Sequence, residues 1–348
     1  MSNHFLLTNR MIYTDKDGVE RVKQDGKEPA SDLFRIAQWN GQDFDVIADT
    51  PPNMPVSYTD KIDSDTDLRR FTGSKRLFYE LYRTMAFDEG GDVLLYIHGF
   101  NNDMAAVKEA MTELIKLYVT PPECSVKQIV IFSWPAENDI KYRTDFRDAK
   151  VSGYALSRAV MKYGRFLDEF FSPREVPLNA PCGNRLHLMC HSMGNFVFES
   201  MLAELIANKW SRSIFNQVIL TAADVAYDVF EDRQSFSRLA EYCSRADIYY
   251  NNNDKALFAS STTKNPATRL GSNGPRLAAQ VPNSVVLVDA TDVAPVGVSW
   301  LEKIQGHSYH LNTPAVIKDM RQVLRGVHSE QIEPREYIAH KNAYRIRH

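Results

Sequence analysis

The chain has 348 residues, of which 44% are hydrophobic and 24% charged. That is the balance of a soluble globular protein, and it excludes wholesale disorder, collagen-like repeats and low-complexity architecture. Lysine and arginine number 41 against 44 aspartates and glutamates, a formal net charge of −3, which leaves no electrostatic footprint for nucleic acid.

The length fits either two average domains or one large α/β unit. No stretch approaches the roughly 18 apolar residues of a membrane span. Met1–Lys16 lacks a basic start followed by an apolar run, so the expected location is cytoplasmic. The four cysteines, Cys124, Cys182, Cys190 and Cys243, lack zinc-ribbon or C-x-x-C spacing and are expected to be reduced thiols.

In chain order, residues 1–70 read as an N-terminal extension that supplies extra strands or a cap. Phe5-Leu6-Leu7 and Phe34-Arg35-Ile36-Ala37 are short strand candidates, and Asp49–Pro55 has turn chemistry. Ser74 is placed as the N-cap of a helix carrying Leu77, Leu81 and Met85 on one face. From Asp92 onward, short apolar runs alternate with helical stretches. The runs are Val93–Ile97, Ile129–Phe132, Leu186–Met189, Val218–Leu220, Ile248–Tyr250 and Val285–Val288. Unbroken rather than alternating runs suit strands covered on both faces, so a mostly parallel central sheet with helices on both faces is expected over a core of residues 71–326. The intervening helices are expected over Ala105–Tyr118, Thr144–Phe171 and the stretch after Ser192 that carries Val197, Met201 and Leu205. Residues 327–348 are polar, contain Pro334, and read as a C-terminal surface tail or packing arm.

The segment Leu186–Asn195 carries the chemistry. A buried strand runs straight into Cys190-His191-Ser192-Met193-Gly194, and a helix follows at once. This is a near match to Gly-x-Ser-x-Gly, a sharp strand-to-helix turn that exposes a serine nucleophile. Gly194 is the second small residue, and Cys190 stands where the first glycine is usual. The helix N-terminus behind the turn favours negative charge at Ser192, and the Met193 amide is placed as half of an oxyanion hole. Val93–Ile97 ends in His98-Gly99-Phe100, where lipases and esterases place the loop that donates the other oxyanion N–H. Gly99 lets the backbone turn, the Phe100 amide is the expected donor, and His98 is read as a structural residue holding the loop.

Taken together, His98-Gly99-Phe100-Asn101-Asn102, Ser133-Trp134-Pro135, His191-Ser192-Met193-Gly194-Asn195, Asn253-Asp254-Lys255-Ala256-Leu257 and Gly306-His307-Ser308-Tyr309 resemble the α/β-hydrolase superfamily. More narrowly, they are similar to a bacterial branch of serine-hydrolase-like proteins grouped as an uncharacterised domain family. The motifs run in order over residues ~90–326. The resemblance implies the α/β-hydrolase fold and a catalytic triad, and it carries no substrate.

In this fold the triad runs serine, acid, histidine along the chain. His307, after the last core strand, is the expected base, with His310 as its rival. For the acid, Asp254 follows the penultimate core strand, the usual place; Asp224, one strand earlier, is the alternative, with helix capping as its other reading. His187 is expected to pack in the core.

His187-x-x-Cys190-His191 has metal-ligand residue types, but neighbours on a strand face opposite sides, so no metal is expected. No phosphate-binding loop is present, and no cofactor is expected. The segment 137–143, with Asp145, is a candidate lid or pocket wall in which Tyr142, Arg143 and Asp145 would touch substrate.

The leading expectation is a serine hydrolase acting on a small-molecule acyl ester through Ser192, His307 and Asp254. Alternatives are an amidase, peptidase or acyltransferase on the same triad, or a catalytically silent binding protein. Oligomeric state is left open.

Overall fold

The six apolar runs form strands, each somewhat longer than its apolar stretch. In a computed structural model, which describes residues 3–25, 29–51, 53–87, 90–136, 142–170, 185–257, 268–295 and 306–347, they are β6 (Asp92–Ile97), β7 (Val126–Ser133), β8 (Leu186–His191), β9 (Phe215–Thr221), β10 (Cys243–Tyr250) and β11 (Val285–Asp289). They lie in the order β11-β10-β9-β8-β6-β7, all parallel. Side chains alternate across them. On β6, Val93, Leu95 and Ile97 enter one core layer, whereas Leu94 and Tyr96 enter the other.

Helices cover both layers. On the first face lie α1 (Gly73–Ala86), α3 (Tyr142–Phe170) and α4 (Gly194–Ala207). On the second lie α2 (Met104–Tyr118) and α5 (Pro314–Leu324). The α/β-hydrolase fold read from the sequence is the fold of the molecule. No helix among the described residues is long and apolar enough to cross a membrane.

Ser74 does not cap α1. The helix begins at Gly73, two residues earlier than that cap would place it, with Thr72 as N-cap, and the Ser74 side chain instead bonds to Tyr58. A buried hydroxyl with a tertiary partner does not compete for a helix-end amide.

The chain ends widen the sheet. β1 (Phe5–Thr8) pairs in parallel with β7, and β4 (Arg35–Trp39) and β5 (Phe44–Val46) follow antiparallel at that edge. Between β1 and β4, a hairpin of β2 (Ile12–Thr14) and β3 (Glu20–Val22) stands apart from the main sheet. At the other edge, the segment after Gly326 is a packing arm built as strands. β13 (Ala343–Ile346) pairs in parallel with β11, and β12 (Arg335–Ile338) pairs antiparallel with β13. Arg335 anchors this arm. Its side chain is buried, bonds Asp319 of α5 through two nitrogens at 2.7 Å, and lies 3.0 Å from Asp247 of β10.

The connectivity places the site. From β6 the chain moves outward through α2 to β7, then returns through α3 to β8 on the other side of β6. The loops that leave β6 and β8 diverge from this switch point, where open α/β sheets form their ligand crevice at the strand carboxyl ends. His98–Asn102 and His191–Met193 are those two loops.

Candidate active site

Ser192 sits between β8 and α4 with φ +54°, a left-handed conformation that a non-glycine residue adopts at a cost of about 1–2 kcal/mol. Its surroundings hold it there. The Ser192 amide donates to Thr221 O at 3.1 Å, and its carbonyl accepts from the Asp224 amide at 3.2 Å. The Asn195 side chain donates to Ser192 O at 2.9 Å and to Thr221 O at 3.2 Å, pinning the turn to the end of β9. Only glycine fits at 194, because a Cβ there would lie 2.5 Å from Ile97 O and 2.7 Å from His98 O. Gly99 faces the turn from the other side, where a Cβ would lie 2.7 Å from Ser192 Cβ. Cys190 takes the place of the usual first glycine. Its side chain turns into the core layer beneath α4 and is fully buried, so the departure leaves the turn intact.

His307 and Asp254 converge on this serine. His307 Nε2 lies 2.8 Å from Ser192 Oγ, and His307 Nδ1 lies 2.7 Å from Asp254 Oδ2. The His307 side chain is 14% exposed and that of Asp254 is fully buried, so the imidazole reaches the surface and the carboxylate is sealed behind it. Asp254 Oδ1 accepts the amides of Ala256 and Leu257, each at 3.0 Å, which fixes the carboxylate plane. Burial pushes the His307 imidazole down, but the charge and hydrogen bond of Asp254, with the charge of Asp224 beyond, outweigh it and raise its pKa above the ordinary histidine value.

The rival residues face elsewhere. Asp224 pairs with buried Arg269, Oδ1 to Nε at 3.0 Å, rather than with the His307 ring. His310 Nε2 meets the Tyr96 hydroxyl at 3.1 Å, and burial followed by the His307 charge lowers its pKa to about 3. His187 is buried 3.2 Å from Asp92.

On the β6 loop, Trp134 N–H donates to His98 Nε2 at 3.2 Å. That acceptor role assigns the imidazole proton to Nδ1, which donates to Gly99 O at 2.9 Å. Burial, then the charge of Arg10, lowers the His98 pKa to about 3, so the ring stays neutral. The Asn102 side chain also donates to Gly99 O, at 3.1 Å, and to Phe100 O, at 2.8 Å. A trans peptide points its N–H opposite to its carbonyl. Fixing Gly99 O therefore fixes the direction of the Phe100 amide. Met193, whose amide is the other donor read from the sequence, is the N-cap of α4 and is buried.

Several residues around the site carried no assigned role in the sequence. His191 is buried, and its Nε2 donates to His307 O at 3.2 Å. The Tyr309 hydroxyl accepts from Ala222 N at 2.7 Å and donates to Tyr249 O at 2.9 Å. Asn251 Nδ2 donates to Gly306 O at 3.0 Å. These groups tie the His307 loop to β8, β9 and β10. Asn195 and Tyr309 lie inside the recognised motifs, so position was the one signal that could have flagged them. The lid candidate 137–141 lies outside the described residues, as do the side chains of Tyr142 and Arg143. Asp145, in the first turn of α3, is fully buried.

Residues 77–326 match the model of a family described as "Alpha/beta hydrolase of unknown function (DUF900)". No curated protein matches the chain. Among solved structures, a phospholipase, PlaB from Legionella pneumophila in complex with thio-NAD, is similar at 12% identity and a TM-score of 0.27. That comparison covers 63% of this chain and 40% of the phospholipase chain.

Proposed function

The chain belongs to this α/β-hydrolase family, DUF900, and from that premise we propose that it is a serine hydrolase that cleaves carboxylic esters through Ser192, His307 and Asp254. The observation that carries the reading is the unbroken relay from Asp254 through His307 to Ser192, 2.7 Å and then 2.8 Å. Nucleophile, base and orienting acid at hydrogen-bond distance are the geometric requirement for an activated serine.

In the proposed reaction, His307 Nε2 takes the Ser192 proton as Oγ attacks the acyl carbon. The carbonyl π electrons move onto oxygen, and the amides of Met193 and Phe100 hold the resulting oxyanion. Collapse breaks the bond to the leaving oxygen, which takes the proton from His307, and an acyl-enzyme remains on Ser192. His307 then takes a proton from water as that water attacks. The second collapse frees the carboxylic acid and returns the proton to Ser192 Oγ. Asp254 stays ionised throughout, holding the Nδ1–H tautomer and stabilising the imidazolium.

The test is intact-protein mass after exposure to a fluorophosphonate, with peptide mapping of the adduct. One adduct on Ser192, lost in His307→Ala, is expected. A protein that stays unlabelled under native conditions, or ester turnover that persists in Ser192→Ala, overturns the reading.

A further inference from the structure

Residues outside the family match of 77–326 reach the candidate oxyanion loop. Directly after β1, Arg10 lies only 3% exposed. Its Nε donates to Ser133 Oγ at 2.9 Å, and Ser133 Oγ lies 3.2 Å from His98 Nε2. An arginine only donates, so the Ser133 hydroxyl accepts from Arg10; its own proton shares the His98 Nε2 lone pair with the Trp134 N–H in a three-centre bond or turns to Met104 Sδ, 3.9 Å away. His98 in turn donates to Gly99 O. The second arm of the guanidinium, Nη2, donates to Asn102 O, and the Asn102 side chain donates to Gly99 O and Phe100 O. Both arms therefore converge on the Gly99–Phe100 peptide.

The segment carrying Arg10 is itself anchored. The Thr8 hydroxyl donates to Ser133 O at 2.7 Å and accepts the Arg10 amide at 3.0 Å. Asn9 Nδ2 donates to Ser152 Oγ of α3 at 2.9 Å and to Ser31 O at 2.9 Å.

We propose that Arg10 is a positioning residue for the reaction: from the N-terminal strand it braces the Gly99–Phe100 peptide, and so aims the Phe100 amide at the oxyanion. This rests on the serine-hydrolase reading above. The rigid two-armed fork is what the task requires, because one arm holds the end of β7 beside His98 and the other holds the Asn102 carbonyl of the loop at a fixed separation. The positive charge beside His98 adds to burial in keeping that ring neutral.

The experiment compares the full chain with Arg10→Ala and Ser133→Ala. It uses p-nitrophenyl butyrate for kcat and KM, and a fluorophosphonate for the second-order labelling rate at Ser192. A misaimed oxyanion donor lowers both kcat and the labelling rate, by about 10–100-fold for Arg10→Ala, since complete loss of one donor costs about 10²–10³. KM stays within about threefold, because a ground-state ester scarcely uses the donor. Millimolar guanidinium chloride restores part of the Arg10→Ala rate, and sodium chloride at equal ionic strength does not. Ser133→Ala, which cuts one arm, shows the same split with a smaller fall.

Folded Arg10→Ala with unchanged kcat and labelling rate overturns the inference. So does a loss that appears in KM alone. If Arg10→Ala does not fold, Ser133→Ala decides by the same readouts. Absence of labelling in the unsubstituted chain is a different result: it removes the serine-hydrolase reading, and the inference goes with it.

Discussion

At the residue scale, two aspartates and two histidines competed on equal chemistry, and their partners distinguish them. Asp254 meets His307 at 2.7 Å, whereas Asp224 is spent on Arg269 at 3.0 Å. On the proposed mechanism, Asp254→Asn lowers kcat by about 10³–10⁴ and leaves the fold in place. It also moves the acidic limb of the pH–rate profile. The charge and hydrogen bond of Asp254 raise the His307 pKa, so removing the charge lowers it, and the limb shifts to lower pH. Asp224→Asn has the opposite signature. It strands the buried Arg269 charge and costs about 3–5 kcal/mol of stability, while kcat of the folded fraction stays within about tenfold. Paired pH–rate profiles and urea melts on the two variants check this. Ser192, Asp254 and His307 were legible inside the motifs, and Asp224 and His310 by their place along the chain. Strand placement favoured Asp254; what the sequence could not show is that Asp224 meets Arg269, 45 positions away, because that partner is met only in the folded chain.

At the element scale, the turn between β8 and α4 works because two backbones approach closely. Gly194→Ala places a Cβ 2.5 Å from Ile97 O, a backbone atom that cannot swing aside, so the end of β6 must move and carry His98–Phe100 with it. The expected result is a fall in kcat of about 10–100-fold, within the range for an impaired oxyanion donor, with a melting temperature lower by several degrees. Steady-state kinetics beside thermal melts measure both. The central strands were readable because each is an unbroken apolar run buried on both faces; all six residues of Asp92–Ile97 are buried. β2, β5 and β12 were not, since each has only three or four residues, and their partly exposed sides leave too few apolar positions to make a pattern.

At the scale of the whole molecule, burial of histidines sets the pH dependence of stability. His4 and His98 are lowered to about 4 and about 3, His310 also to about 3, and His191 is lowered well below the usual range, each chiefly by burial. A group with a lowered folded pKa binds its proton only on unfolding, so its stabilisation is full above about pH 6.5 and is lost as pH falls. His307 and Glu199, both raised, act in the opposite sense. Near pH 5.5 the lowered histidines outnumber the two opposing groups, so unfolding takes up protons on balance and stability falls on acidification. Urea unfolding at pH 7.5, 6.5 and 5.5 measures the slope; a flat profile contradicts it.

The amino-acid sequence by itself determined the parallel α/β architecture and the serine turn. Both are written in local signals: apolar runs for strands covered on both faces, and small residues where strand and helix backbones must touch. Tertiary structure alone decided the rest. It set Asp254 rather than Asp224 beside the His307 ring, paired β1, β4, β5, β12 and β13 onto the sheet edges, and set Arg10 behind the Gly99–Phe100 peptide. Each of these depends on hydrogen bonds and ion pairs between segments far apart in the chain. Such partners are chosen by the geometry of the folded sheet, and a polar side chain read in its own neighbourhood carries no trace of which distant group it will meet.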